Sequence, residues 1–392
     1  MTVRKRLKIA VVASGNIPSK YAHSFNVMKM AQGFIQLGHR VEVISLLNLH
    51  TLWNYFRIKD ISSHYGLQCN ITMRLFPDLS LPRVNRQSRL SAYLQSLYCK
   101  WKRFDLVFAR NYLVTYFAVK MRIPTILETH TTLYDNPDLR LCREVFNLPD
   151  FLGMVVINEE IKKAYLKRKV NPEKLMVCED GVDIERFEVS DDRSYWRKQL
   201  GLSLEQPVVT YCGHLYEEKG VEHIFQTAEL LSEQGYPALF VVVGGWEKDV
   251  DRWSKYCNCR GLTNVLFTGF VNNSLVPGYL KAADVLIMPY NTRVNFHVMD
   301  IMTTSPLKLF EYMASNRPIV STKIPAISKV LVNNENALLA EPNDIGKLAA
   351  SIRRLCEDKA LAKNLASNAF KLAVKFQWKE RCRKIIKYFL QL

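Results

Sequence analysis

Val208-Val-Thr-Tyr-Cys-Gly213 is an apolar run that stops at a glycine, and it opens the part of the chain that decides the fold. The run predicts a buried strand. A helix is predicted next over Val221–Gln234, followed by a second apolar strand over Ala238–Val243. Apolar strands that alternate with helices are typical of parallel sheets covered on both faces. This stretch therefore predicts one β–α–β unit of a doubly wound sheet.

The same alternation extends in both directions from this unit. Further strands are predicted over Lys8–Ala13, Val41–Ser45, Leu106–Ala109, Thr125–Glu128, Met154–Ile157, Lys174–Cys178, Val265–Thr268, Val285–Met288 and Ile319–Thr322. A chain of 392 residues is too long for one ordinary domain. We therefore predict an α/β protein with two Rossmann-like, doubly wound domains that face a cleft, and the charged segment 189–197 is the predicted linker.

The net charge of +17 is unevenly distributed along the chain. Residues 1–120 carry 18 Lys or Arg and four acidic residues, whereas residues 121–392 carry 36 and 33. A cationic N-terminal part suits a nucleic acid, an anionic substrate or an acidic membrane surface. Nine cysteines without a CxxC or Cys/His ligand pattern indicate free thiols in a cytoplasmic protein.

One segment of the cationic part has an apolar stripe at helical spacing. Its members are Leu90, Leu94, Leu97 and Trp101, and basic residues surround them. Such a helix either lies on a membrane surface or packs its stripe on a sheet. We expect the second arrangement, because amphipathic helices of that kind are the rule in globular domains.

Ligands of open parallel sheets bind where the strands end, so the loops after the predicted strands are the candidate site. The loop Ser14–Ser24 lacks GxGxxG and does not predict a dinucleotide site. The other loops offer polar side chains, cations or close backbone approach to a ligand. Their residues are His130, Gly213, His214, Lys219, Gly244, Gly269, Phe270 and Val271.

Ser305-Pro-Leu-Lys-Leu-Phe-Glu311-Tyr-Met-Ala reads as a polar loop that enters a helix. Ser305 is a suitable N-cap, and proline is favoured at the first helical position. The unpaired N–H groups of a helix start bind phosphate well. A carboxylate at Glu311 would then reach a sugar hydroxyl such as that of a ribose. The segment therefore predicts a clamp for a nucleotide diphosphate.

Several of these segments together resemble glycosyltransferase family 4. They are 38–39, 180–183, 213–220, 266–271, 283–290 and 305–314. The resemblance covers nearly the whole chain and implies the GT-B architecture, with a retaining hexosyl transfer from a nucleotide sugar. It also implies an acceptor-binding domain over 1–188, completed by a crossover helix at 375–392, and a nucleotide-sugar-binding domain over 189–374.

The resemblance also assigns roles to individual residues. His130, Lys219 and Glu311 are the expected catalytic residues, with Lys219 on the donor diphosphate and Glu311 on the ribose. Acceptor binding is expected at Asn16, Tyr21 and His23. Further donor contacts are expected from Gly15, Gly213, His214, Gly244, Phe270, Val271, Ser305, Leu307 and Lys308.

Two positions depart from the family pattern. The first glutamate of the paired-glutamate motif is replaced by Thr303, for which Asp300 is a candidate substitute, and the usual arginine is replaced by His214. A histidine carries only a partial charge near neutral pH, so neutralisation of the diphosphate would depend on Lys219 and Lys308. We expect a working enzyme, and the alternative is an inactive sugar-binding relative.

No cofactor or metal is expected, because cations would stabilise the leaving diphosphate. Asp249-Val-Asp251 is interpreted as a helix start rather than a metal site. The expected partners are a UDP- or GDP-sugar in preference to an ADP-sugar, a glycan or lipid-linked acceptor for polysaccharide biosynthesis, and the cytoplasmic face of an anionic membrane. A nucleic-acid-binding protein is the second class considered, and we expect no nucleic acid because the nucleotide loops would then go unexplained.

Overall fold

The computed structural model describes residues 6–58, 60–79, 88–131, 137–190, 192–291 and 307–391. The chain forms two compact units. The first contains Met1–Gly181 and Trp378–Leu392, and the second contains Val182–Gln377. Each unit is an α/β sandwich around a parallel sheet, which confirms the predicted fold class.

The first unit is built on a seven-stranded sheet with the order β3-β2-β1-β4-β5-β6-β7. Every strand pair is parallel. The strands are β1 Lys8–Asn16, β2 Arg40–Leu47, β3 Thr72–Pro77, β4 Leu106–Ala109, β5 Thr125–Thr129, β6 Phe151–Val156 and β7 Leu175–Val177. The helices are Ala22–Gln36, Leu49–Arg57, Ile61–Tyr65, Arg89–Trp101, Tyr112–Lys120, Pro137–Arg143, Glu159–Leu166 and Trp378–Leu390.

The last of these helices returns from the end of the chain to pack on the first helix, Ala22–Gln36. A side chain at Gly33 would place its Cβ 2.7 Å from the Cys382 sulfur and 2.9 Å from the Trp378 carbonyl oxygen. Glycine therefore permits the close approach of the two helices. The Cys382 thiol donates to the carbonyl oxygen of Met30 at 3.5 Å, so the C-terminal helix is an integral part of the first unit.

The second unit has a six-stranded parallel sheet with the order β10-β9-β8-β11-β12-β13. The strands are β8 Val208–Cys212, β9 Leu239–Val243, β10 Val265–Gly269, β11 Val285–Met288, β12 Ile319–Thr322 and β13 Leu338–Ala340. The α-helices are Arg193–Gln199, Val221–Glu233, Glu247–Cys259, Val276–Ala282, Leu307–Ala314, Pro325–Ser328, Ile345–Glu357 and Lys359–Ala373. Short 3-10 helices occupy Ile184–Phe187, Glu217–Lys219, Asn273–Leu275 and Val374–Phe376.

The units divide between Gly181 and Val182 and between Gln377 and Trp378, whereas the sequence indicated 188/189 and 374/375. Val182 belongs to the second unit because its N–H donates to the Phe376 carbonyl oxygen at 2.8 Å. The predicted linker 189–197 is wrong for a similar reason. Arg197 is 1% exposed and its guanidinium binds the Asp284 carboxylate, so this segment is fixed to the second unit.

Candidate active site

Three loops of the second unit meet where β8, β9 and β10 end. The Gly213 N–H donates to the Val243 carbonyl oxygen at 2.9 Å, and the Gly244 N–H donates to the Gly269 carbonyl oxygen at 2.9 Å. Gly244 has a φ of +107°, and a Cβ there would lie 2.6 Å from the Gly213 carbonyl oxygen. This crowding explains why residue 244 is a glycine. Two of the predicted loops are therefore hydrogen-bonded to their neighbours at this edge.

Two lysines approach each other at this edge. The Lys308 Nζ lies 2.8 Å from the Tyr211 hydroxyl and 4.0 Å from the centre of its ring. Lys219 and Lys308 both lie over the ring of Tyr290, at 5.3 and 5.8 Å from its centre. Burial, followed by the charge of Lys219, lowers the pKa of Lys308 to about 7. The pair forms a cationic site whose charge changes near neutral pH.

Glu311 follows Lys308 on the helix Leu307–Ala314 and is held by an arginine from a distant part of the chain. The Arg186 Nη1 lies 3.0 Å from the Glu311 Oε1, and the two side chains are 7% and 18% exposed. The Arg186 Nη2 also donates to the Asn273 carbonyl oxygen, close to Phe270 in sequence. The arginine thereby ties the carboxylate to the segment that follows the predicted donor contacts Phe270 and Val271.

His214, which replaces the family's arginine, forms part of an aromatic stack. Its ring lies parallel to that of Tyr216, with centres 5.1 Å apart, and to that of Trp246, with centres 5.9 Å apart. Its carbonyl oxygen accepts a hydrogen bond from the Tyr211 hydroxyl at 2.6 Å. The same tyrosine therefore positions both this loop and Lys308.

The remaining donor residues have simpler placements. Val271 is partly buried against the apolar core and Phe270 is partly exposed beside it. Leu307 is the first described residue of its helix and is partly exposed. Ser305, Thr303 and Asp300 lie outside the described residues, and so does the predicted helix start.

In the first unit, His130 follows β5 and binds a fully buried carboxylate. Its Nε2 lies 2.7 Å from the Glu128 Oε1. The other oxygen, Oε2, is 2.8 Å from the Nη1 of Arg381 on the C-terminal helix. Arg110 approaches Oε1 with its Nε at 3.6 Å and donates from Nη1 to the His23 carbonyl oxygen at 3.2 Å. The predicted acceptor loop and His130 thus share one buried charge cluster.

The residues predicted for acceptor binding lie close together after β1. The rings of Tyr21 and His23 stack with their centres 5.9 Å apart. A Cβ at Gly15 would lie 2.8 Å from the His23 Nε2, so Gly15 makes room for this ring, and it is followed directly by Asn16. Burial, with the nearby charge of Arg110, lowers the pKa of His23 to about 4. His23 is therefore neutral at pH 7.

The helix Arg89–Trp101 turns its apolar stripe outward, which is the opposite of the arrangement we expected. Leu90, Leu97 and Trp101 are 54%, 44% and 70% exposed, and Leu94 is partly buried. The buried face consists of small or neutral residues, namely Ser91, Ala92, Gln95, Ser96 and Cys99. These small residues pack closely against the unit, and the large apolar side chains are left at the surface. The described part of the chain contains no helix that is long and apolar enough to span a membrane.

Sequence reasoning missed the buried partners of the site, Arg110, Glu128, Arg186, Tyr211 and Arg381. The one available signal was Glu128, an ionisable residue near the end of the buried strand Thr125–Thr129. Asp249 lies in the first turn of the helix Glu247–Cys259, as predicted. Within the described ranges, no cluster of three or more His, Cys, Asp or Glu could hold a metal ion.

Two family models match this chain. The model for Glycosyl transferases group 1 matches residues 192–372, and the model for Glycosyltransferase Family 4 matches residues 26–186. The structure of Anabaena HepE in complex with UDP-glucose superposes with a TM-score of 0.75 and 18% identity, covering 99% of this chain and 100% of HepE. The two parallel-sheet units define the GT-B class of glycosyltransferases. The two family models, which lie one after the other along most of the chain, support a glycosyltransferase of the family 4 type and confirm the resemblance seen in the sequence.

Curated relatives agree with this assignment. Alpha-D-kanosaminyltransferase of Streptomyces kanamyceticus is 26% identical over 178 residues, which are 45% of this chain and 43% of that enzyme. The Escherichia coli UDP-Gal:alpha-D-GlcNAc-diphosphoundecaprenol alpha-1,3-galactosyltransferase is 26% identical over 223 residues, covering 56% of this chain and 54% of that enzyme. The match thus spans about half the length of these two relatives. Both relatives are named as glycosyltransferases, and the two family models give this chain the same class.

Proposed function

We propose that this protein transfers a sugar, with retention of configuration, from a UDP-sugar to a hydroxyl of a lipid-linked glycan. The observation that carries the proposal is the gathering of Lys219, Lys308 and Glu311 at one edge of the second sheet. Two cations and a carboxylate in this arrangement suit a nucleoside diphosphate. Its negatively charged phosphates bind cations, and its ribose hydroxyls donate hydrogen bonds to a carboxylate. HepE, which shares the fold, was solved with UDP-glucose, and this favours uridine as the base.

Each part of the donor has a proposed partner. Lys219 and Lys308 bind the diphosphate, helped by the Leu307 amide and by Ser305. Glu311 accepts hydrogen bonds from the ribose, and Arg186 keeps its carboxylate in position. Phe270 and Val271 contact the base. Gly213 keeps its backbone open to the diphosphate, because its φ is +147° and a Cβ there would lie 2.8 Å from the Lys308 Nζ.

The chemistry follows from the charge that develops during transfer. The bond between the anomeric carbon and the phosphate oxygen breaks, and UDP leaves with the electron pair. The acceptor oxygen forms the new bond on the same face, and its proton passes to a phosphate oxygen of UDP. Lys219 and Lys308 stabilise the negative charge on the departing diphosphate, and such stabilisation is often the largest single contribution to catalysis. His130 is proposed to lie beside the reacting sugar.

The donor assignment is tested by a thermal-shift screen against UDP-, GDP- and ADP-glucose. A nucleotide sugar at 100 times its Kd stabilises the folded protein by about 2.7 kcal/mol. We expect the largest rise in Tm with UDP-glucose, and we expect the Glu311→Ala variant to lose it. A response to none of the three, or an equal response in the variant, contradicts the proposed site.

A lipid-linked acceptor at the cytoplasmic membrane face agrees with the surface of the first unit. The exposed stripe Leu90, Leu97 and Trp101 lies in the cationic part of the chain, and the helix Leu49–Arg57 adds Trp53 and Phe56, which are 62% and 74% exposed. Apolar side chains among basic residues favour peripheral binding to anionic lipids. The Escherichia coli relative, whose name specifies a diphosphoundecaprenol acceptor, supports the same choice.

Replacing Trp101 by glutamate is expected to weaken binding to vesicles that contain anionic lipid. The exchange removes an exposed aromatic ring and adds a charge that the lipid headgroups repel. Flotation with vesicles of phosphatidylglycerol and phosphatidylcholine measures the bound fraction, which should also fall with added salt. Val332→Glu, at a residue of the second unit that is 46% exposed, is the matched control and should float like the wild type. If both variants floated to the same extent, the result would contradict membrane binding through this surface.

A further inference from the structure

Glu128 is a buried carboxylate whose two oxygens are both committed to partners. It stands next to the last residue of β5, and its side chain is 0% exposed. Oε1 faces His130 at 2.7 Å, and Oε2 faces Arg381 at 2.8 Å. Burial alone would raise the pKa of Glu128, but Arg381, His130 and Arg110 together lower it well below its usual range. The carboxylate is therefore ionised and can only accept hydrogen bonds.

Arg381 reaches this carboxylate from a helix 253 residues further along the chain. Its Nε donates to the Glu179 carbonyl oxygen at 2.8 Å, and its Nη2 donates to the Cys178 carbonyl oxygen at 3.1 Å. A guanidinium that is bound through all three of its nitrogens holds its partner in one orientation. The C-terminal helix thus fixes the end of β5 as well as the segment that follows β7.

This arrangement determines the state of the His130 ring. An ionised carboxylate requires a proton on the Nε2 that faces it. In the neutral imidazole, the Nδ1 is then the acceptor. The side chain of His130 is 20% exposed, so the ring is held from the buried side and still reaches the surface. Arg110 extends the network from Glu128 to the His23 carbonyl oxygen.

A purely structural role explains this cluster less well. A buried ion pair adds little net stability compared with an apolar contact of the same volume. The close contact at Gly33 and the Cys382 thiol already attach the C-terminal helix to the first helix. The cluster also lies directly beneath a residue of the candidate site. These observations favour a role in preparing His130.

We propose that Glu128 and Arg381 are positioning residues for sugar transfer, with Glu128 fixing the orientation and tautomer of His130 and Arg381 fixing Glu128. The inference rests on the proposed function of His130 beside the reacting sugar. Under it, a ring that carries its proton on Nε2 accepts a hydrogen bond at Nδ1 from a hydroxyl of that sugar. The C-terminal helix is then required for activity as well as for folding.

A double-mutant cycle on turnover of UDP-glucose tests the proposal. Glu128→Gln is expected to lower kcat about tenfold to a hundredfold, by analogy with the loss seen when a residue that orients a metal-ligating histidine is replaced. The Kd for UDP should change less than twofold. In a His130→Ala background, Glu128→Gln should cause no further loss, because the carboxylate acts through that ring. The proposal would be overturned if the losses in kcat caused by Glu128→Gln and His130→Ala multiplied in the double variant. It would also be overturned if a folded Glu128→Gln protein kept full kcat.

A second pair of variants keeps the test decisive if Glu128→Gln does not fold. Arg381→Lys preserves the positive charge beside Glu128 and loses the forked geometry. It should lower kcat in the wild-type background and have no effect in the His130→Ala background. Arg383→Ala, on the same helix but 37% exposed and paired with Glu380, is the control and should retain full kcat.

The histidine tautomer can be measured without any substrate. Long-range 15N spectra of the eight histidines, with His130 assigned by its loss in His130→Ala, should show a proton on Nε2. Glu128→Gln should change that signal, since an amide can also donate to Nε2. An Nδ1-protonated ring in the wild type would refute the positioning role. Failure of UDP-glucose turnover in the wild type, with the tautomer as expected, would instead count against the proposed donor.

Discussion

Lys219→Ala is expected to lower kcat/KM for the UDP-sugar by about a hundredfold or more, the typical cost of removing one group that stabilises developing charge. Lys219 lies 5.3 Å from the centre of the Tyr290 ring and lowers the pKa of Lys308 by its charge, so it contributes at close range to the cationic site. The side chain is partly exposed, and its loss should leave the Tm unchanged. Initial rates at several donor concentrations measure the effect.

The pH profile gives this prediction a second signature. Lys308 is protonated below its pKa of about 7 and loses its charge as the pH rises. Because the protonated amine binds the diphosphate, wild-type kcat/KM should fall above pH 7. Lys219→Ala removes the repulsion between the lysines, although burial still lowers the pKa of Lys308. That pKa therefore rises, and the falling limb of the profile should move to higher pH.

Lys323→Ala is the matched control for both measurements. Lys323 is a 60% exposed lysine of the same unit, and its Nζ lies 3.2 Å from the Glu341 Oε1. Its removal should change neither kcat/KM nor the pH limb, since exposed ion pairs contribute little. A Lys219→Ala enzyme with near-normal kcat/KM, or with an unshifted limb, would contradict a diphosphate site built from the two lysines.

The parts of the site that the sequence could predict are those that follow from strand order. Parallel strands bring their carboxyl ends to one edge, so Lys219 after β8 and Gly244 after β9 were expected to be neighbours. Lys308 and Glu311 are related by helix spacing, which is also local. These positions need only the identity of the elements and the family pattern, and both are readable along the chain.

The missed residues depend on contacts that no local pattern encodes. Arg186 and Glu311 are 125 residues apart, and Glu128 and Arg381 are 253 apart. Each pair forms only when two elements that are distant in sequence pack against each other. The sequence does not distinguish an arginine that is buried in such a pair from one at the surface. The prediction for the apolar stripe Leu90–Trp101 was wrong for a related reason. The small residues on the other face of the helix pack more closely against the unit than the large apolar residues could. The edge strand β3 alternates exposed and half-buried residues, and it lacks the apolar run that identified the central strands.

Gly220→Ala is expected to be strongly destabilising, with a loss of at least about 4 kcal/mol, which is exceptional for one substitution. Gly220 has a φ of +72°, and a Cβ there would lie 1.4 Å from the Pro289 carbonyl oxygen and 2.5 Å from its carbonyl carbon. Both atoms belong to the backbone, so no side-chain rotation relieves the overlap. We expect the Tm of the second unit to fall by about 10 °C or more.

Gly235→Ala is the control that separates the destabilisation caused by steric overlap from the destabilisation caused by the left-handed backbone conformation. Gly235 has a nearly equal φ of +68°, with nothing within 4 Å of the added Cβ. Its substitution should cost only the left-handed strain of about 1–2 kcal/mol. Any Gly220→Ala protein that folds must move the loop away from Pro289, and Lys219 moves with it. Such a protein should show no rise in Tm with UDP-glucose, whereas Gly235→Ala should respond like the wild type. Equal Tm losses in the two variants, with both still responding to UDP-glucose, would mean that the contact with Pro289 does not hold Lys219 in place.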